Sequence, residues 1–246
     1  MIAVTVLGSS AMFATRERAA SGYLLEFDGR RIWLDAGGGT WRHIIDLIEY
    51  DQIDGVLLSH RHPDHTIDLF QCFHTRRYGT QDPLPPIPLW APAETLERAT
   101  QFAIELEESF ELHTLVAGGA LDIGTAHLSF TEMAHPPETI GVRIEHDGAA
   151  LAYSADSGPD ADFEELTRGA ELFICEATLQ DVDEPWWGHL SASQVGELAK
   201  RLGVPQVMLT HLPPGRDHEL SLAEARSSAG EAEVQLARDG LRLEVG

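Results

Sequence analysis

Residues Ser59–His65 read SHRHPDH. Three histidines and an aspartate, His60, His62, Asp64 and His65, crowd into this one short stretch. It follows the apolar run IDGVLL (53–58), which predicts a β-strand running straight into it. An extended backbone points alternate side chains the same way, so His60 and His62 can reach one ion together. Pro63 suits the first turn of a helix, which puts Asp64 and His65 where they can face a second ion nearby. Imidazole mixed with carboxylate suits Zn, Mn or Fe rather than Ca or Mg. Four ligand types in this order at a strand end make solvated loop histidines a poor explanation.

A two-ion site needs ligands from elsewhere in the chain. The strand-like runs FTEMAH, ALAYSAD and QVMLTH end at His135, Asp156 and His211. Sites in layered α/β folds collect where apolar strands end. Around these runs the chain alternates strands and helices. IAVTVLG predicts a strand, SGYLLEFDGRRIWL two strands around Asp28-Gly29, and TWRHIIDLIEY a helix with Thr40 as N-cap. DLFQCFHTRRY, AETLERATQFAIELEESF and DADFEELTRG read as helices, as do SASQVGELAKRLG (capped by Ser191 or Ser193) and SLAEARSSAGE. Both halves hold several strands followed by helices, a coarse duplication. The expectation is a pair of packed sheets with helices over both outer faces. The proline-dense stretch 81–92 is short and has ligand-type residues on both sides, so residues 1–246 are expected to form one domain.

Composition narrows the partners. The 246 residues include 40 acidic and 17 basic ones, a net charge of −23. Phosphate contacts along a nucleic acid need Lys and Arg, so nucleic acid is a poor partner. Two cysteines, Cys72 and Cys175, make no disulfide framework and fit a reducing, cytoplasmic setting. The N-terminal run reads as a strand rather than a signal peptide. No apolar run approaches the about 18–20 residues that span a membrane.

With these residues assembled, the chain resembles the metallo-β-lactamase superfamily. HRHPDH, the later His135, Asp156 and His211, and the glycine loop LDAGGG carry the resemblance, which covers nearly the whole chain. It implies a four-layer αββα sandwich with two metals at one edge of the sheets. It further implies that His60, His62 and His135 hold one divalent ion and that Asp64, His65 and His211 hold the other. Asp156 and a hydroxide would bridge the pair. Zinc is the leading candidate, with manganese or iron next. VTVLGSS, SGYLLE, LDAGGGT, YSADSG, CEAT and GHLSASQVGELA are similar to the ribonuclease Z-like phosphodiesterase branch. That branch implies a catalytic pair, Glu176 orienting His189 against the scissile phosphate. Asp64 would be both a ligand and an acceptor of the nucleophile's proton.

Two departures from the tRNA-processing members matter. Cys175 stands where they carry the first histidine of a motif. Asp156 follows His135 by only 21 positions, which leaves no room for the long arm those enzymes use to grip tRNA. ASGYLLE, LSHRHPDHTIDL, AHPPETIGVRI and LTHLPP resemble instead the mycobacterial-type cyclic nucleotide phosphodiesterases. The implied reaction is hydrolysis of a small phosphodiester, a 3′,5′-cyclic nucleotide foremost, by attack of a metal-bridging hydroxide on phosphorus. A tRNA 3′-end endonuclease, a lactonase or β-lactamase-like hydrolase, and a non-catalytic accessory protein are the alternatives. A homodimer is expected by analogy alone.

Other features are weaker. Gly37–Gly39 either approach a phosphate or form a tight turn beneath the metal loop, the second being favoured. Trp186 and Trp187, just before His189, either stack a nucleobase, pack, or meet a second copy. Arg76 and Arg77 form a rare basic spot, either attracting an anionic substrate or lying solvated on a helix face. His43, His74, His113, His127, His146 and His218 lack partners at metal spacing and read as surface or loop residues.

Overall fold

Alternating side chains along the strands build a layered molecule. The computed structural model describes residues 1–246. The first half supplies β1 (Ile2–Gly8), β2 (Gly22–Phe27), β3 (Arg30–Leu34), β4 (Gly55–Leu57), β5 (Ile87–Pro92) and β6 (Phe110–Leu115). The second half supplies β7 (Ala120–Ile123), β8 (Ala126–Glu132), β9 (Ile140–His146), β10 (Ala149–Tyr153), β11 (Leu172–Glu176), β12 (Gln206–Thr210) and β13 (Glu233–Leu236). The last strand, β14 (Arg242–Val245), returns to pair antiparallel with β1. Two seven-stranded sheets result, ordered β14-β1-β2-β3-β4-β5-β6 and β13-β12-β11-β10-β9-β8-β7.

Each strand has one inner and one outer row. Tyr23, Leu25 and Phe27 of β2 and Leu172 and Ile174 of β11 point into a core shared by the two sheets. Their alternates point outward to helices. Leu24 and Trp33 meet α1 (Thr40–Leu47), α3 (Leu69–Tyr78) and α4 (Ala93–Phe102) through Ile44, Phe73 and Leu96. Phe173 and Val207 meet α5 (Phe163–Thr167), α6 (Ala192–Leu202) and α7 (His218–Ser228) through Leu166, Val195 and Leu222. The remaining helix, α2 (Pro63–Thr66), is a single turn in the SHRHPDH loop. Three apolar interfaces between four layers make the expected αββα sandwich.

Strand direction locates the site. β3 to β6 run parallel, as do β10 to β13, so their C-terminal ends gather at one edge. Pro63 is the first residue of α2, as its missing N–H favours. Ser191 caps α6 with a reciprocal Gln194 bond, which decides between the two serines.

Several expectations differ. Thr40 is not the cap of α1; Gly39 holds that place with φ 96°, and Asp68 accepts from the Gly39 and Trp41 amides at 2.8 and 2.9 Å. The predicted helix after Pro92 stops at Phe102 and gives way to a short 3₁₀ turn. Strands β7 and β13 had no counterpart in the sequence reading.

Candidate metal centre

The SHRHPDH loop leaves β4 at the common strand edge. His60 is fully buried, His62 half-buried, and their facing nitrogens, Nε2 and Nδ1, lie 3.1 Å apart. His135 brings Nε2 to 3.3 Å from the same His62 Nδ1. Two nitrogens on one tetrahedral ion bonded at 2.0–2.1 Å stand about 3.3 Å apart. Asp156 completes this group with Oδ2 at 3.7 Å from both His60 Nε2 and His135 Nε2. Its other oxygen, Oδ1, faces His65 Nε2 at 3.2 Å and His211 Nε2 at 3.4 Å. Asp64 Oδ2 lies 3.3 Å from that His211 nitrogen. All seven predicted ligand residues therefore form two adjoining clusters joined by one carboxylate.

Those donors fit cations. His65 Nε2 and Asp156 Oδ1 are buried with no hydrogen-bond partner, a costly state for polar atoms that a bound ion relieves. Four imidazoles keep Nδ1 on a protein group. His60 meets the Ser59 hydroxyl (3.0 Å), His65 the Asp35 carboxylate (2.7 Å), His135 the Gly188 carbonyl (2.8 Å) and His211 the Thr178 hydroxyl (2.8 Å). Each bond orients the ring and leaves Nε2 to the centre. Burial holds His60 well below the ordinary histidine range and lowers His62 and His135, which favours the neutral rings that bind metal. Burial also presses His65 down, but Asp156 and Asp35 outweigh it and raise it well above its usual value. Burial opposes ionisation of Asp64 and Asp156; His211 and His65 overcome it and hold both carboxyls low.

The backbone at this edge is unusual. Met12, Asp35, Ala155 and His211 all have positive φ, between 50° and 63°, the left-handed region that favours glycine. Such strain clusters where a site fixes its side chains. Met12 donates its backbone N–H to Asp64 Oδ2 at 2.7 Å.

His189 stands beside the clusters. Its ring centre lies 5.0 Å from that of His135 and 5.5 Å from that of His211. Nδ1 meets Glu176 Oε1 at 2.6 Å, and Glu176 is fully buried. Two amides, of Ser157 and Thr178, hold the Glu176 oxygens at 2.9 and 3.0 Å. Burial lowers the His189 pKa, yet Glu176 more than reverses this and the net shift is upward.

The sequence reading missed Asp35. It directly follows β3, is fully buried, and accepts from Ser59 N and Oγ, Tyr153 OH and His65. Its signal was a carboxylate closing the apolar run RRIWLD, overlooked beside the glycines.

Other expectations need correction. His135 and Asp156 lie three residues past the ends of β8 and β10, in loops rather than at strand ends. Arg76 is buried and donates to the Pro85 carbonyl, while Arg77 pairs with Glu108 at 2.5 Å. Pro85 precedes β5, at the opposite edge from the site, so neither arginine meets substrate there. His146 is buried, between Thr125 and Phe27. Gly37–Gly39 form the favoured tight turn beneath the metal loop, with the Gly37 and Gly39 amides donated to Ser21 and Asp68. A Cβ on Gly37 would sit 2.1 Å from the Asp64 carbonyl.

A family model described as "Beta-lactamase superfamily domain" matches residues 30–212. An uncharacterised protein of Mycobacterium leprae is 34% identical over 92% of this chain and 83% of its own length. The chain belongs to the beta-lactamase superfamily. Within that superfamily it is similar to a ribonuclease Z of Kineococcus radiotolerans, at 27% identity over 96% of this chain and 93% of that one. The crystal structure of YhfI, a metallo-β-lactamase-fold protein from Bacillus subtilis, shares the fold. It covers 99% of this chain and 100% of its own, with TM-score 0.90 and 24% identity. The protein is a metal-dependent hydrolase of this superfamily. No helix is long and apolar enough to cross a membrane.

Proposed function

We propose that the chain is a dinuclear phosphodiesterase acting on a small phosphodiester, a 3′,5′-cyclic nucleotide foremost. The observation that carries this reading is the His189–Glu176 pair at 2.6 Å beside the clusters. A lactone or β-lactam hydrolase has no evident need for a second, carboxylate-held imidazole there. His60, His62 and His135 would hold one ion, Asp64, His65 and His211 a second, and Asp156 would reach both. Zinc suits this donor set, and manganese or iron are accepted by it. When bound, the ions supply Lewis-acid activation of water and of the phosphoryl oxygens near neutral pH.

The chain's own residues do the rest. Glu176 fixes the His189 ring through Nδ1 and favours its protonated form, which leaves Nε2 free to donate. That donor stabilises charge on the phosphoryl group or protonates the departing ribose oxygen. Asp64, kept ionised, would hold its ion and accept a proton from the nucleophile. Fixed Nδ1 bonds hold the other rings still while charge moves.

The similarity to ribonuclease Z favours a second reading, a tRNA 3′-end endonuclease. The stretch between His135 and Asp156 speaks against it. It holds only the β9–β10 hairpin with its tight turn at Asp147-Gly148, and no arm. The net charge of −23 also repels a polyanion.

The test is His189→Ala. Turnover of bis(p-nitrophenyl) phosphate should fall about 10²-fold or more, the contribution of a positioned proton donor. Metal content should be retained. Unchanged turnover would remove the basis for choosing phosphodiesters.

A further inference from the structure

Trp186 lies where a substrate held by His189 would extend. Its ring centre is 4.8 Å from that of His189 and 5.9 Å from that of His135, which it meets edge-on. The ring is clamped. A Cβ on Gly188 would fall 2.6 Å from it, so the indole lies close over the bare Gly188 backbone. The same short loop is tied to the centre at further points. The Gly188 carbonyl accepts from His135 Nδ1 at 2.8 Å, and His189 N donates to the Trp186 carbonyl at 3.3 Å. Gly158 admits the Trp187 carbonyl so closely that a Cβ would sit 1.6 Å from it. With these neighbours in place, 41% of Trp186 still faces solvent.

A large aromatic side chain packed beside His189, His135 and Trp187 and still half-open to solvent is a built surface next to the reacting groups. Its surroundings carry Asp64, Asp156 and Glu176, so they do not favour an anionic group beyond the one the ions would neutralise. A neutral planar ring is the chemistry it fits, because stacking needs no charge and every nucleobase has a π-face.

We propose that the open face of Trp186 binds the nucleobase of the substrate by stacking, with purines ahead of pyrimidines because they cover more of the indole. This rests on the phosphodiesterase reading. The structure thereby separates two jobs: His189 acts on the phosphodiester and Trp186 selects what it carries.

Two measurements on the metal-loaded protein test it. The first compares kcat/KM for cyclic AMP with that for a base-less ribose 3′,5′-cyclic phosphate. Trp186→Ala should lower this ratio about tenfold or more, in the range of base–aromatic stacking, chiefly through KM for cyclic AMP. Trp186→Phe should restore most of it. The second follows indole fluorescence during titration with adenosine monophosphate. Quenching should persist in Trp187→Phe and vanish in Trp186→Phe. An unchanged ratio in Trp186→Ala, or quenching that survives Trp186→Phe, would overturn the proposal. If the wild-type protein hydrolyses neither diester, the phosphodiesterase reading fails, and the quenching alone decides whether Trp186 holds a base.

Discussion

Asp35 and His65 share one hydrogen bond, 2.7 Å from Oδ2 to Nδ1, at a point where neither side chain touches solvent. The carboxylate also takes Ser59 N on Oδ1 and Ser59 Oγ and Tyr153 OH on Oδ2, so protein groups hold both of its oxygens. Asp35 thereby sets the His65 ring directly and His60 indirectly, since the Ser59 hydroxyl spans Asp35 and His60 Nδ1. A residue outside both clusters thus orients a histidine in each.

Asp35→Asn should therefore weaken metal binding about 10–100-fold, as loss of such outer partners typically does. Competition titration with a chromogenic chelator measures it. Wild-type affinity in the variant would refute the orienting role.

Metal removal should also destabilise the fold. Buried His65 Nε2 and Asp156 Oδ1 have no hydrogen-bond partner, and an ion that binds only the folded chain adds about 2.7 kcal/mol at 100 times its Kd. The thermal midpoint should rise with zinc concentration and drop when a chelator is added. A midpoint indifferent to both would mean the clusters bind no ion tightly.

Glu176→Gln keeps an acceptor oxygen for only one of the Ser157 and Thr178 amides, which donate to Oε1 and Oε2, and removes the negative charge beside His189. Turnover of a phosphodiester should fall about 10²-fold, the lower range for a positioned acid, with metal content retained. Loss of metal along with activity would assign Glu176 a structural part only.

Gly37→Ala would force a methyl to 2.1 Å from the Asp64 carbonyl. Overpacking of this kind costs about 1–3 kcal/mol, and here the strain falls on the metal loop. Urea melts should show a lower midpoint with an unchanged slope, together with weaker metal binding. A variant as stable as wild type would show that the loop and the glycine turn are not in fixed contact.

Much of this site was legible in the sequence because ligand chemistry is local. SHRHPDH brings four donors in seven residues, and strand period and Pro63 orient them. What joins the clusters is not local. Asp35 reaches His65 across thirty positions and Thr178 reaches His211 across thirty-three, contacts that only the sheet order creates. The missed strands β7 and β13 are the two edges of one sheet. Edge strands are short and polar, and both ALDI and EVQL lack the apolar run that marked their neighbours. Arg76 was misjudged because its helix reads as polar, while its stem and head fold under the Pro85 carbonyl. His146 reads from the sequence as a surface or loop residue, yet it is buried and its ring packs toward Phe27.

The most direct test of the account is one assay on metal-reconstituted protein offered cyclic AMP and precursor tRNA in parallel. The account predicts hydrolysis of the cyclic diester to a nucleoside monophosphate, abolished by chelation, with no processing of the tRNA. Cleavage of precursor tRNA with the cyclic nucleotide left intact would contradict it.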